Sequence, residues 1–255
     1  MIKRVSAVLR LCDSALGRAL QASEARLWLD GATVVPIYKP GGYFVLIDLP
    51  AGQHHISIRS AAFQPDELDL LVDYSRPFDE TMDVKTVMLN PGALHPAVRS
   101  GVVIRGRFTC GRTAFYIARA QAQLKLAQDG AGEGTCKLKL FSGGKHIMLP
   151  SLFYIRDKAA KPGEFVMIHA ADGDEYTLEA PLRQAHRRSA DLIPMVKYLS
   201  EADGSFFAML PVGYRADAAS GKIEAELLIA RGDELLSRTV SLVPKGENNL
   251  GDLSI

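Results

Sequence analysis

Apolar and polar residues alternate along much of the chain with a period of two, the spacing of a strand that buries one face. Val5, Ala7, Leu9 and Leu11 point one way and their more polar neighbours the other. Ala25, Leu27 and Leu29 repeat the pattern, and Ile56 and Ile58 alternate with His55, Ser57 and Arg59. Leu68, Leu70 and Val72 stand against Glu67, Asp69 and Asp73, and after a polar loop over Asp73 to Glu80 a further strand is expected from Val84 to Leu89. Tyr43 to Ile47 is apolar on both faces and rich in β-formers, as a central strand covered on both sides requires. Turn formers separate these runs: Asp13 to Gly17, Asp30-Gly31 and Pro40-Gly41-Gly42.

Asn90-Pro91-Gly92 and His95-Pro96 then interrupt the chain twice within a few residues. A proline cannot donate to a ladder and restricts the residue before it, so a domain boundary is expected near Pro96, giving domains over residues 1–96 and 97–255. In the second part Val102, Ile104, Gly106 and Phe108 face away from Arg105 and Arg107. Ala118 to Gln128 is rich in helix formers, yet its apolar residues alternate with Arg119, Gln121, Gln123 and Lys125, so a strand is expected there. The turn from Asp129 to Gly134 joins it to Cys136–Leu140 as a hairpin. Further strands are expected at His146–Ile155, Glu164–His169, Tyr176–Ala180, Met195–Leu199, Ser205–Leu210, Ile223–Ala230 and Leu235–Val243. That number suits either one enlarged sandwich or two small ones divided near Pro181. The tail Lys245–Ile255 is polar and Gly- and Asn-rich, and is expected to be mobile or docked on a partner. The fold class is therefore all-β, with tandem immunoglobulin-like or prealbumin-like β-sandwich domains.

Composition agrees: 255 residues are long for one sandwich of about 100 and comfortable for two. A net charge of +1, with both signs interspersed, provides no global field to gather nucleic acid or an anionic membrane. No run approaches the roughly 18 apolar residues that span a bilayer, and Arg10 interrupts the apolar segment that a signal peptide would need. Cys12, Cys110 and Cys136 are odd in number, far apart and without CxxC spacing, so reduced, packed thiols are expected. Together these features give the expectation of a cytoplasmic protein without membrane insertion.

Residues 39–63, KPGGYFVLIDLPAGQHHISIRSAAF, place a glycine turn, an aromatic-apolar strand, an Asp-Leu-Pro-Ala-Gly corner and an alternating strand in succession. This order resembles the carboxypeptidase regulatory-like, or prealbumin-like (transthyretin-like), domains, with Ala61-Ala62-Phe63-Gln64-Pro65 in place of the family's Gly-Tyr-x-Pro. The match covers most of residues 1–90. A weaker and shorter echo, Asp203-Gly-Ser-Phe-Phe-Ala-Met-Leu-Pro211, lies within residues 195–243. The resemblance implies a non-catalytic appendage used for folding support, spacing or adhesion. One relative of the prealbumin fold hydrolyses a purine ring and ends in Tyr-Arg-Gly-Ser. Here Tyr214-Arg215 continues as Ala216-Asp217 in mid-domain, so that activity is not carried over. The two-sandwich architecture also looks like that of accessory subunits of phage tails and contractile injection particles.

The chemistry-bearing residues are dispersed. His54 and His55 are adjacent, so on a strand they point to opposite faces, and His146, His169 and His186 form no HxH or HxxxH pair. Asp172, Asp174 and Glu175 form a cluster too short for a self-contained calcium loop. Ser142-Gly143-Gly144-Lys145 lacks the first glycine and the Ser/Thr of a phosphate cradle, and Arg231-Gly232-Asp233 reads as a turn between strands. Two features point to protein contact. Trp28 falls on the polar face of its strand, beside Arg26 and Asp30. The run from Arg183 through His186 and Arg187 to Arg188 is the densest basic patch. No catalytic, cofactor or metal site is assigned.

The expectation is a non-enzymatic structural or assembly module that binds protein partners in a larger assembly through its sandwich surfaces. A carbohydrate or small-ligand-binding module is the alternative. A hydrolase in the second part, using His169 with Asp172 or Glu175, is the remote one.

Overall fold

The structure, a computed structural model, describes residues 4–79, 83–119, 124–141, 149–157, 163–211, 214–232 and 234–255. The fold is all-β and divides into two compact units, residues 1–100 and 101–255.

The first unit contains β1 (Val5–Asp13), β2 (Arg26–Leu29), β3 (Ala32–Val34), β4 (Ile37–Lys39), β5 (Tyr43–Ile47), β6 (Gly52–Arg59), β7 (Asp66–Val72) and β8 (Val84–Leu89). They form two four-stranded sheets, ordered β4-β5-β1-β8 and β3-β2-β6-β7. The inward residues of both sheets, among them Leu9, Leu11, Leu27, Phe44, Leu46, Ile56 and Ile58, share one core. The alternation in sequence is thus the alternation between core and exterior. β1 runs antiparallel to β5 and parallel to β8.

The glycine turn ahead of β5 has a strict backbone requirement. Gly41 and Gly42 have φ of 94° and 80°, and Gly42 presses on β1, where its carbonyl accepts the Leu11 N–H at 2.9 Å. A Cβ on Gly42 would stand 2.6 Å from the Leu11 carbonyl oxygen. Asp30 and Gly31, with φ of 49° and 84°, form the tight turn between β2 and β3, as the Asp-Gly dipeptide predicts.

The second unit contains β9 (Val102–Phe108), β10 (Ala114–Ala118), β11 (Leu124–Leu126), β12 (Lys137–Phe141), β13 (Ser151–Arg156) and β14 (Glu164–Asp172). It continues with β15 (Glu175–Leu178), β16 (Asp191–Leu199), β17 (Ser205–Met209), β18 (Ile223–Arg231), β19 (Glu234–Leu242) and β20 (Gly246–Leu253). Nine strands form one sheet in the order β11-β12-β15-β14-β13-β16-β10-β18-β19, and β11 also pairs with β16. That extra pairing closes β11, β12, β15, β14, β13 and β16 into a ring, filled by Leu124, Leu138, Leu140, Phe153, Ile168 and Leu192. The remaining part of the sheet faces the three-stranded sheet β17-β9-β20 across a second core, in which Phe108, Phe115 and Phe206 contact one another with centroids 4.7–5.4 Å apart. In sequence β11–β15 are inserted between β10 and β16, which are ladder partners, so β16 belongs to both the barrel and the sandwich.

Two local expectations are corrected. Residues 246–253, expected to be mobile or partner-docked, form β20, parallel to β9. Asn248 anchors it, donating to the carbonyls of Val103 and Val243 and accepting the Val243 N–H at 2.7 Å, while Leu253 is buried. Cys110 and Cys136, expected to be packed, are exposed because each lies just outside a strand; Cys12 is buried, and all three are free. In the segment expected as a strand over Ala118–Gln128, Leu124 and Leu126 are buried around an exposed Lys125, while residues 120–123 lie outside the described residues. His146 and Ser142–Lys145 also fall outside them, as does Asp233.

Gly42→Ala is expected to destabilise the protein by more than about 1 kcal/mol, since an L side chain meets both positive φ and the β1 backbone there. Urea unfolding followed by circular dichroism measures it, with Gly31→Ala, where a Cβ meets nothing within 4 Å, as the milder comparison.

Candidate functional site

The two features singled out in the sequence lie in different units, Trp28 in the first and the arginine run in the second. On β2, Leu27 enters the core at 1% exposure, so Arg26 and Trp28 stand on the outer face. Trp28 is half-buried in the sheet plane, with Thr33 of β3 and Ser57 of β6 as its cross-strand partners. The guanidinium of Arg59 lies over its ring, 5.2 Å from the centroid. On the same face of β6, His55 meets Asp69 at 2.9 Å and Glu67 at 4.0 Å.

His54 points to the opposite side. Its Nδ1 lies 2.7 Å from Asp30 Oδ2 and its Nε2 2.9 Å from the Pro50 carbonyl oxygen. Both partners only accept, so the two contacts are made together only when both ring nitrogens carry hydrogen. The Asp30 bond, with the Pro50 bond second, holds the His54 pKa above its ordinary 6.5, and the His54 bond holds the Asp30 carboxyl below its ordinary 3.8. Asp30 also accepts the His55 N–H at 2.8 Å, so one carboxylate fixes the β2–β3 turn to β6 behind Trp28.

In the second unit Arg183, Arg187 and Arg188 are exposed, and Arg188 pairs with Asp129 at 2.8 Å. The residue that holds their loop is His186, whose side chain is 1% exposed. Its Nδ1 meets Asp157 and its Nε2 meets Glu164, each at 2.8 Å. The same carboxylates accept loop amides: Arg183 and Gln184 donate to Glu164 at 2.9 and 3.2 Å, and Arg187 donates to Asp157 at 3.0 Å. Two carboxylates thus accept three backbone N–H groups and meet both ring nitrogens of His186, turning His186 inward and leaving the arginines outside. This network was not visible in the sequence, since neither Asp157 nor Glu164 stands at a spacing that marks a partner for His186.

Other ionisable groups are also engaged. His95 and Asp13, 2% and 0% exposed, meet at 3.0 Å, and His95 Nδ1 accepts the Ala97 N–H. Asp13 also accepts the N–H groups of Ala15 and Leu16. His169 is exposed on β14; Asp172 and Glu175 are ladder partners at the end of its hairpin, and Glu175 binds Lys137 at 2.6 Å. Among the described residues no three His, Cys, Asp or Glu side chains are grouped to hold a metal ion. No helix among them is long and apolar enough to cross a membrane.

The Asp30–His54 pair requires ionised Asp30 and protonated His54. Its stabilisation is therefore full between pH 3.8 and 6.5, fades above 6.5 as pH rises through the raised His54 value, and fades below 3.8 as pH falls through the lowered Asp30 value. Asp30→Asn is expected to flatten this component in unfolding midpoints measured from pH 5 to 8. His186→Ala leaves buried Glu164 and part-buried Asp157 without their ring partner and is expected to cost about 3 kcal/mol, read as a lower midpoint in urea.

No protein-family model matches the chain, and no curated protein matches it. Among solved structures, the crystal structure of BcpA, the major pilin subunit of Bacillus cereus, is similar over 95% of this chain and 69% of its own length, with 10% sequence identity and a TM-score of 0.28.

Proposed function

We propose that the chain is a non-enzymatic structural or assembly module of two tandem β-sandwich domains that binds other proteins through sheet surfaces. The observation that supports this most directly is Trp28, an aromatic set on the exterior of a sheet whose other face is already filled by core. Tryptophan and arginine are the side chains that most often dominate protein interfaces, and Arg59 lies against this ring. The exposed Arg183, Arg187 and Arg188, carried on a loop held by His186, offer a second contact surface in the other unit. The finer form of the proposal is a carboxypeptidase regulatory-like appendage, supported by the motif at residues 39–63, serving in a phage-tail-like or contractile particle assembled in the cytoplasm.

Native mass measurement of the protein isolated with its partners from its source tests this. A defined complex is expected, with Trp28→Ala weakening it about 30-fold or more, as truncating an interface anchor does. A chain that remains alone under all conditions of growth overturns the proposal.

A further inference from the structure

We infer that the outer face of β2 and β6 docks an acidic segment of a partner protein, with Arg26 and Arg59 taking its carboxylates and Trp28 packing its apolar part. The inference rests on the reading of the chain as a protein-binding module and names the chemistry of the partner.

The argument starts from register. Arg26 and Arg59 are direct cross-strand partners on one face. Like charges placed so are unfavourable by tenths of a kcal/mol or more, and an opposite charge beside them normally offsets this. Among the described residues neither guanidinium has a carboxylate within ion-pair distance, and both side chains are exposed. Three acidic groups near this face hold partners of their own. Asp69 and Glu67 flank His55, and Asp30 holds His54 and the His55 amide. The face is therefore divided, with histidine beside the acidic groups of β7 and uncompensated positive charge at the β2–β6 end.

The apolar part of the surface lies at that same end. Trp28 is flanked by the small side chains Thr33 and Ser57, with Arg59 over the ring. Val35, just beyond β3, is 91% exposed. Two arginines present planar forks that take carboxylates bidentately and stack on aromatic rings, which lysines do not. A single aromatic beside an exposed valine suits an apolar side chain set between acidic ones. The fitting occupant is an extended peptide segment in which glutamates or aspartates alternate with an aliphatic residue.

Trp28 is the chain's only tryptophan, so its emission reports on this face alone. The full chain is titrated with a blocked peptide of alternating glutamate and leucine, and separately with its lysine-leucine counterpart and a sulfated heparin hexasaccharide. A saturable emission change is expected with the glutamate peptide alone, weakened at least about tenfold in the Arg26→Gln, Arg59→Gln double variant. That variant should unfold at a similar urea concentration, because the like-charge pair it removes offsets the Arg59–Trp28 contact it loses. The inference is overturned if the glutamate peptide gives no change up to about 1 mM, if the double variant binds it equally, or if the hexasaccharide binds in its place. If the double variant still forms the native complex that Trp28→Ala disrupts, the acidic-segment inference fails while the binding-module reading stands.

Discussion

A β-strand has two edges and two faces, and β16 commits all four. One edge pairs with β13; the other pairs with β11 at Asp191 and Leu192 and then with β10 from Met195 onward. On one face Leu192 enters the barrel, while Val196 and Tyr198 enter the sandwich core. On the other, Ile193 and Met195 join an apolar cluster with Tyr154 and Leu228. Pro194 lies where the pairing passes from β11 to β10; having no N–H, it contributes only its carbonyl, which accepts the Arg119 N–H at 2.7 Å. A slip of one residue in β16 would withdraw side chains from both cores at once. The position of the arginine run follows from this, because the loop Arg183–Arg188 runs through Ser189 and buried Ala190 directly into β16.

The histidines show how the remaining polar groups are used. His54, His95 and His186 each have both ring nitrogens occupied, and in each case at least one partner is a carboxylate on a segment distant in sequence. Each carboxylate also accepts backbone N–H groups, so these clusters take the role that regular ladders play elsewhere: they satisfy the amides of turns. Such rings are anchors for loops. Aimed outward from the same segments are Arg26, Trp28 and Arg59 on one unit and Arg183, Arg187 and Arg188 on the other.

What the sequence disclosed was what depends on near neighbours. The phase of Leu27 against Trp28 follows from a period of two, and the turn at Asp30-Gly31 from two residues that accept positive φ. The opposite orientations of His54 and His55 follow in the same way. What it concealed depends on distant pairing. The barrel closes through β11, three residues long, against Asp191 and Leu192. The His186 network joins residues 22 and 29 positions apart. β20 has the sequence GENNLGDL, whose place in a sheet is set by one asparagine side chain and one leucine rather than by alternation. The period of Cys136 with Leu138 and Leu140 was real, but the strand begins one residue after it.

The parallel pairing of β20 with β9 also imposes an order in time. The first unit has all eight of its strands and every residue of its core within residues 1–100, so its core needs nothing from later in the chain. β9 emerges next and waits about 140 residues for Gly246–Leu253, on the order of ten seconds of synthesis. In that interval one edge of β9 is unpaired, with β17 arriving first on the other. A chain that lacks Gly246–Leu253 leaves that edge of β9 bare, a strand edge able to recruit a foreign one.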